Sequence, residues 1–263
     1  PRISEPEVVA EAERFLRQEA QHSRAHRLHL AALTRQHPGL QYTLDQAISS
    51  YSALGASRPL EFHLAYIADL EATFLPVFSL ILEHDDALLR PGDDRVASLL
   101  LYHIAEEVEH RSTAMAIYQA VVGDDRYRLR VLPFVVRHVL AVFGQAVRSF
   151  DLHVPLADRG IEASRVAPRR ALLRELAVRA PLVRRRVMTD GYPSALGCVS
   201  LPALLKALYQ LVRCELPGHD AEKARIPRCV AEWFARYDAG ADVTRWYTLP
   251  PASAAETVPT ADA

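Results

Sequence analysis

The chain has 263 residues, half of them apolar, which suffices for a sizeable core and excludes an intrinsically disordered protein. Its 31 basic and 32 acidic side chains leave a formal net charge of −1, so no overall field favours nucleic acid or an anionic membrane surface. The three cysteines form no CxxC pair and are odd in number, which predicts a reduced, cytoplasmic protein. The most apolar stretch, residues 131–150, contains charges and a proline, so we predict no membrane span.

The hydrophobic pattern predicts helices along nearly the whole chain. Residues 40–59 are expected to link the first two helices, Pro76 to kink the second, and residues 151–168 to form a looser stretch. Long helices joined by short turns pack as antiparallel neighbours, so we predict one all-α bundle domain over 1–248 and a disordered tail over 249–263. In chain order, the predicted helices cover 5–36, 60–89, 95–122, 127–150, 169–188, 201–214 and 226–237.

The first helix carries polar side chains where an apolar face is expected. Helical residues advance by about 100° each, so Glu19, His22 and His26 share one narrow arc. A glutamate and a histidine three residues apart form the Glu-x-x-His motif of di-iron bundles. We therefore predict Glu19 and His22 as metal ligands and His26 as a group that orients a ligand.

The third predicted helix repeats this spacing. Glu107 and His110 form a second Glu-x-x-His pair, and His103 lies one turn before Glu107 on the same face. Glu106 shares this face and is predicted to support the ligands rather than bind the metal. In the second helix Glu71 interrupts an apolar stripe, where a bare carboxylate needs a cationic partner.

Each motif alone is weak, because Glu-x-x-His pairs are common on helix surfaces. Their occurrence together with Glu71 on three successive predicted helices favours a dinuclear site of mixed carboxylate and imidazole ligands, which suits two iron ions or manganese. A bundle with polar core networks and no metal is the plain alternative. His219 is a further candidate to line the site, because it lies in a predicted loop.

The strings FLRQEAQHSRAH, LEATF and YHIAEEVEHR resemble the bacterial family of predicted metal-dependent hydrolases. The ligand pattern is also similar to that of the di-iron p-aminobenzoate N-oxygenases, which implies a ferritin-like bundle with additional C-terminal helices. On this chain the resemblance implies the ligands Glu19, His22, Glu71, His103, Glu107 and His110.

The chain departs from these families at several positions. Ala72 stands where the lone glutamate is usually followed by histidine, and Tyr102 replaces a tryptophan. The segment LPGHDAEKARIPRCVAEWFARYD resembles a shortened form of a family segment and would align His219. Both families take a further glutamate from a helix before the first motif. We expect residues preceding Pro1 to supply it, with Glu106 as the alternative.

The resulting hypothesis is a non-haem di-iron oxygenase or oxidase that activates dioxygen to oxidise a small organic substrate, with an external electron donor. The alternatives are a dinuclear metal-dependent hydrolase, as the family's provisional name suggests, and a non-catalytic metal-binding bundle. A homodimer formed through helix faces is a further expectation.

Overall fold

The structure is a computed structural model that describes residues 3–89, 93–159 and 199–248. Within these ranges every regular element is helical, which confirms the predicted all-α class and is compatible with a ferritin-like bundle. Short 3-10 helices cover Ala221–Lys223 and Val243–Thr248. The α-helices are α1 (Pro6–Gln36), α2 (Leu40–Ser57), α3 (Leu60–Leu82), α4 (Asp85–Leu88), α5 (Asp94–His110), α6 (Thr113–Val121), α7 (Asp125–His153), α8 (Leu156–Arg159), α9 (Leu201–Arg213) and α10 (Arg228–Asp238).

The first helix agrees with its predicted bounds, and a tight turn follows it. Pro6 occupies the first turn of α1, where its missing N–H leaves no hydrogen bond unmade. Gly39 then sits against the end of α7, where a Cβ atom would come within 2.2 Å of the His153 ring. Only glycine fits this approach without displacing the ring, so the turn allows the start of α2 to pack closely on the end of α7.

The predicted linking stretch over 40–59 is wrong, because Leu40–Ser57 forms helix α2. Its serines, threonine and tyrosines are weak helix formers, which hid the helix in the sequence. Contacts with α7 stabilise it instead. Ser50 Oγ lies 2.8 Å from His138 Nε2, and Thr43 donates to Ser149 at 2.6 Å.

Two predicted helices are each divided in the structure. The helix predicted over 60–89 ends at Leu82, because His84 adopts a non-helical backbone and its ring bonds the Leu80 carbonyl, and α4 follows as a separate short helix. The helix predicted over 95–122 breaks at Arg111 and Ser112 into α5 and α6.

Helix α3 lies at the centre of the bundle and packs against α5, α6, α7 and α9. One core cluster joins α3, α6 and α7 around Tyr66 and Tyr118. A second cluster joins α5, α10 and the last 3-10 helix around Leu101 and Trp233. Of the predicted site helices, α5 therefore packs directly on the helix that carries Glu71, and α1 packs on α5 and α6.

A buried ionic cluster connects α3, α7 and the end of α9. Arg128 Nη1 donates to Asp69 Oδ1 at 2.6 Å and to Glu215 Oε2 at 2.7 Å, and its Nη2 donates to the Glu215 carbonyl at 2.7 Å. Burial raises the pKa of Asp69 to about 6 and that of Glu215 to about 8. One guanidinium thus serves two carboxylates in the protein interior.

Helices α3 and α7 are long and apolar enough to cross a membrane by length and composition alone. The core helix of a soluble protein meets the same criterion, so this finding is weak support for a span. The predicted basic helix over 169–188 and the predicted tail over 249–263 lie outside the described residues.

Candidate metal centre

Helices α1, α3 and α5 bring the predicted ligands to one place in the bundle. On α1, Glu19 Oε2 lies 3.8 Å from His22 Nδ1. Glu19 Oε1 reaches across to His110 Nδ1 on α5 at 3.2 Å. The i, i+3 spacing of both motifs thus turns the two carboxylates and two imidazoles towards each other across the helix pair.

Glu107 stands between the two helices. Its Oε1 lies 3.6 Å from His22 Nδ1 and 3.5 Å from His103 Nε2. Glu71, on α3, is buried and hydrogen-bonded to Glu107. Glu71, which interrupts the apolar stripe of the second predicted helix, therefore lies beside Glu107 and near Glu19.

The histidines form the other half of the cluster. His103 Nδ1 lies 2.5 Å from His22 Nε2 and 2.8 Å from His26 Nε2. Two groups have donor atoms within 4.8 Å of one another and could hold a metal ion: His22, His26 and His103, and Glu19, His22 and Glu107. The structure thus places His26 where it could bind a metal ion itself, whereas the sequence predicted that it orients a ligand.

Donor atoms in this cluster lack partners among the described residues, although they are buried. A buried polar atom without a hydrogen-bond partner is costly, and a cation held by Glu19, His22 and Glu107 would provide a partner for the nearest of these atoms. A metal ion therefore fits the chemistry and the position of the side chains. The atoms without a hydrogen-bond partner, among which Glu19 Oε1 and His110 Nδ1 lie 3.2 Å apart, are Glu19 Oε1, His22 Nδ1, Glu71 Oε2, Glu106 Oε2, Glu107 Oε2 and His110 Nδ1.

Burial shifts the pKa values of the imidazoles in the direction that metal binding requires, and those of two carboxyls in the opposite direction, so that a bound cation would displace their protons. Burial, with the neighbouring rings, lowers the pKa of His103 to about 3, and it also lowers the pKa of His22 and His26. These imidazoles are neutral at pH 7, which is the form that binds metals. Burial raises the pKa of Glu71 to about 7 and that of Glu107 to about 10.

Two neighbouring side chains, Gln18 and Tyr102, form hydrogen bonds with members of the cluster. Gln18 accepts a hydrogen bond from His110 Nε2 at 3.0 Å, which leaves Nδ1 turned towards Glu19. The Tyr102 hydroxyl donates to Glu106 Oε1 at 2.6 Å, while Glu106 Oε2 lies 4.0 Å from His22 Nδ1. The sequence analysis gave Gln18 no role, although its position directly before Glu19 was a usable signal.

The last predicted candidate, His219, lies outside the cluster of carboxylates and imidazoles. It lines a cavity to which Glu71 also contributes, and it is in neither of the two groups that could hold a metal. Burial lowers its pKa.

The pKa shifts predict how the metal-free protein responds to pH. A carboxyl whose pKa is higher in the folded state binds its proton more tightly there, so the free energy of unfolding falls as pH rises. Between pH 7 and 9 His22, His26 and His103 are already neutral, and Glu107 keeps its proton only in the folded chain. We expect Glu107 to contribute a loss on the order of 2–3 kcal/mol over this range, and Glu215, whose pKa is raised to about 8, to add a smaller loss.

Urea denaturation in the presence of a chelator measures this loss. The Glu107→Gln variant should show a flatter dependence, because the amide does not titrate. An equal slope in the variant and the parent protein would contradict the assignment.

The fold and the site together define an all-α protein with a buried cluster of carboxylates and imidazoles that could hold metal ions. The family model described as "Predicted metal-dependent hydrolase" matches residues 1–188, and the chain belongs to this family. No curated protein and no solved structure matches the chain. The comparisons therefore support the first resemblance, and they give no support to a similarity with di-iron N-oxygenases.

Proposed function

We propose that the chain is a hydrolase that uses a pair of metal ions held between α1, α3 and α5. The observation that carries the proposal is the set of buried carboxylate and imidazole atoms without hydrogen-bond partners among the described residues. Membership in the family of predicted metal-dependent hydrolases supports the same reaction class. The iron and oxygenase assignments from the sequence have no such support.

The proposed ligand set has two unequal halves. Glu19, Glu71 and His110 form the acidic half, and His26 and His103 form the nitrogen-rich half. His22 and Glu107 lie between them. Mixed nitrogen and oxygen donors suit zinc, manganese or iron, and carboxylates offset the charge of the cations.

The chemistry of the reaction is divided between the bound ions and the chain. A metal pair supplies Lewis acidity that polarises the substrate and lowers the pKa of water. Glu106 is proposed to hold and pass on the proton that water releases, because Tyr102 fixes one of its oxygens and the other is unpartnered. Gln18 keeps the His110 ring in a single orientation.

One observation favours a second candidate, the di-iron oxygenase or oxidase predicted from the sequence. Aromatic rings wall the cluster: Phe15 meets the His110 ring edge-on at 4.8 Å, and Phe78 meets His103 at 5.8 Å. An apolar wall of this kind protects reactive oxygen species from side reactions with water. Dioxygen and an electron donor would then be required.

Metal-loaded protein distinguishes the two functions. We expect protein purified and analysed for zinc, manganese and iron to contain a metal pair per chain. It should hydrolyse members of a panel of p-nitrophenyl esters and phosphodiesters, and a chelator should remove this activity. Addition of dithionite followed by air should cause no protein-dependent uptake of dioxygen.

Glu106→Gln should keep the metal and lower hydrolysis at least about 100-fold, because the amide cannot accept a proton. Dioxygen uptake without metal-dependent hydrolysis would overturn the hydrolase proposal in favour of the oxygenase.

A further inference from the structure

A cavity of 1060 Å³ lies directly beside the candidate metal centre. Glu71 belongs to both, because it contributes to the cavity wall and hydrogen-bonds Glu107. The cavity is bounded by α3, by the break between α5 and α6, by α9 and by residues 219–229. Its size suits a small organic molecule, and its apolar side chains include Leu75, Pro76, Leu82, Met115 and Ile226.

Positive charge exceeds negative charge along this wall. Lys206 lies 3.3 Å from Glu83, and Lys223 lies 2.7 Å from Asp220, so both lysines are neutralised. After these pairs, the acidic side chains that remain among the described lining residues are Glu71 and Glu222. Opposite them, the lining still holds four cationic side chains, Arg111, Arg213, Arg225 and Arg228.

Arg111 is the most firmly placed of these four. Its guanidinium donates to the backbone carbonyls of Val108 at 2.8 Å, Ala221 at 3.1 Å and Glu222 at 3.5 Å. These bonds orient the group without neutralising it, and each terminal nitrogen keeps a further N–H. An oriented guanidinium with free N–H groups is suited to bind a carboxylate or a phosphoryl group.

We propose that this cavity binds a small organic anion, with its apolar body against α3 and its acid group on Arg111, supported by the more exposed Arg213 and Arg228. The further inference that this anion is the substrate rests on the proposed function, because Glu71 lines the cavity and also belongs to the proposed metal centre. The bond that is cleaved would lie at the Glu71 side, away from the anchored acid group.

Four eight-carbon probes test the charge of the ligand. Isothermal titration of the metal-loaded full chain should show binding of octanoate and octylphosphonate, and at least tenfold weaker binding of octan-1-ol and octylammonium. Comparison of octanoate with octylphosphonate shows whether the site prefers a carboxylate or a phosphonate, and tighter binding of either one supports the inference. Equal affinity for octan-1-ol and octanoate would overturn it.

Matched substitutions test the residues. Arg111→Gln should weaken octanoate binding at least tenfold, and Arg228→Gln, on an exposed side chain, should weaken it severalfold with the thermal transition unchanged. Arg130→Gln, on the exposed surface of α7, is the control and should bind as the parent does. Unchanged octanoate affinity in both the Arg111 and Arg228 variants would refute the site.

Metal analysis of the same samples separates the two proposals. Octanoate binding by a chain that holds no metal would remove the proposed hydrolase function and leave the anion site standing. A chain that holds its metal pair and hydrolyses esters but does not bind octanoate or octylphosphonate would remove the anion site alone.

Discussion

Replacing Glu107 with alanine should abolish binding of the metal pair and the activity that depends on it. Glu107 Oε1 lies within 3.6 Å of ring nitrogens of both His22 and His103, so its loss would remove a ligand from both halves of the proposed site. We expect metal affinity to fall more than about 100-fold, beyond the 10–100-fold effect of losing a supporting group. The helices should remain, because Glu107 belongs to neither of the two apolar core clusters that hold the helices together.

Elemental analysis and far-UV circular dichroism test this prediction together. The matched control is Glu13→Ala on α1, where the side chain is exposed and lies 3.8 Å from Arg17, away from the cluster. This control should keep its metal. A Glu107→Ala protein that retains the full metal pair would show that the ligand assignment is wrong.

Replacing Arg128 with methionine should destabilise the protein by about 3–5 kcal/mol, because Asp69 and Glu215 would then be buried together without a cation. Guanidinium denaturation monitored by circular dichroism measures the change. Arg17→Met is the control, since Arg17 is exposed and pairs weakly with Glu13 at 3.8 Å, and it should change stability by less than about 0.5 kcal/mol.

Combining Arg128→Met with Asp69→Asn and Glu215→Gln should recover part of the loss, because no net charge then remains buried. A single Arg128→Met variant as stable as the parent would contradict the role of this cluster.

The positions of the site residues followed from the sequence because helical periodicity is regular. Glu19 and His22, and Glu107 and His110, were assigned to shared faces by spacing alone, and the structure brings both pairs together. The spacing did not show that His26 also reaches His103, because that contact depends on how closely α1 and α5 approach. Whether these side chains bind metal remains a prediction.

The local breaks in the helices were less predictable. Arg111-Ser-Thr ends α5 and begins α6, and such hydroxyl residues favour helix starts, so this break had a usable signal. Helix α2 had none, because its stability comes from packing on α7. The Asp69, Arg128 and Glu215 cluster joins residues 59 and 87 positions apart, a separation that no periodic pattern encodes.

The family match ends at residue 188, whereas one wall of the cavity is built from residues 206–229. His110 and Arg111 are neighbours in sequence but have hydrogen-bond partners in different parts of the chain. The partner of His110 is Gln18, within the matched part, whereas Arg111 donates to the carbonyls of Ala221 and Glu222, beyond it. All the proposed metal ligands thus lie within the matched part, while residues 206–229 contribute much of the proposed anion site. Under these two proposals, substitutions in residues 206–229 would change which acid binds and leave every proposed ligand unchanged.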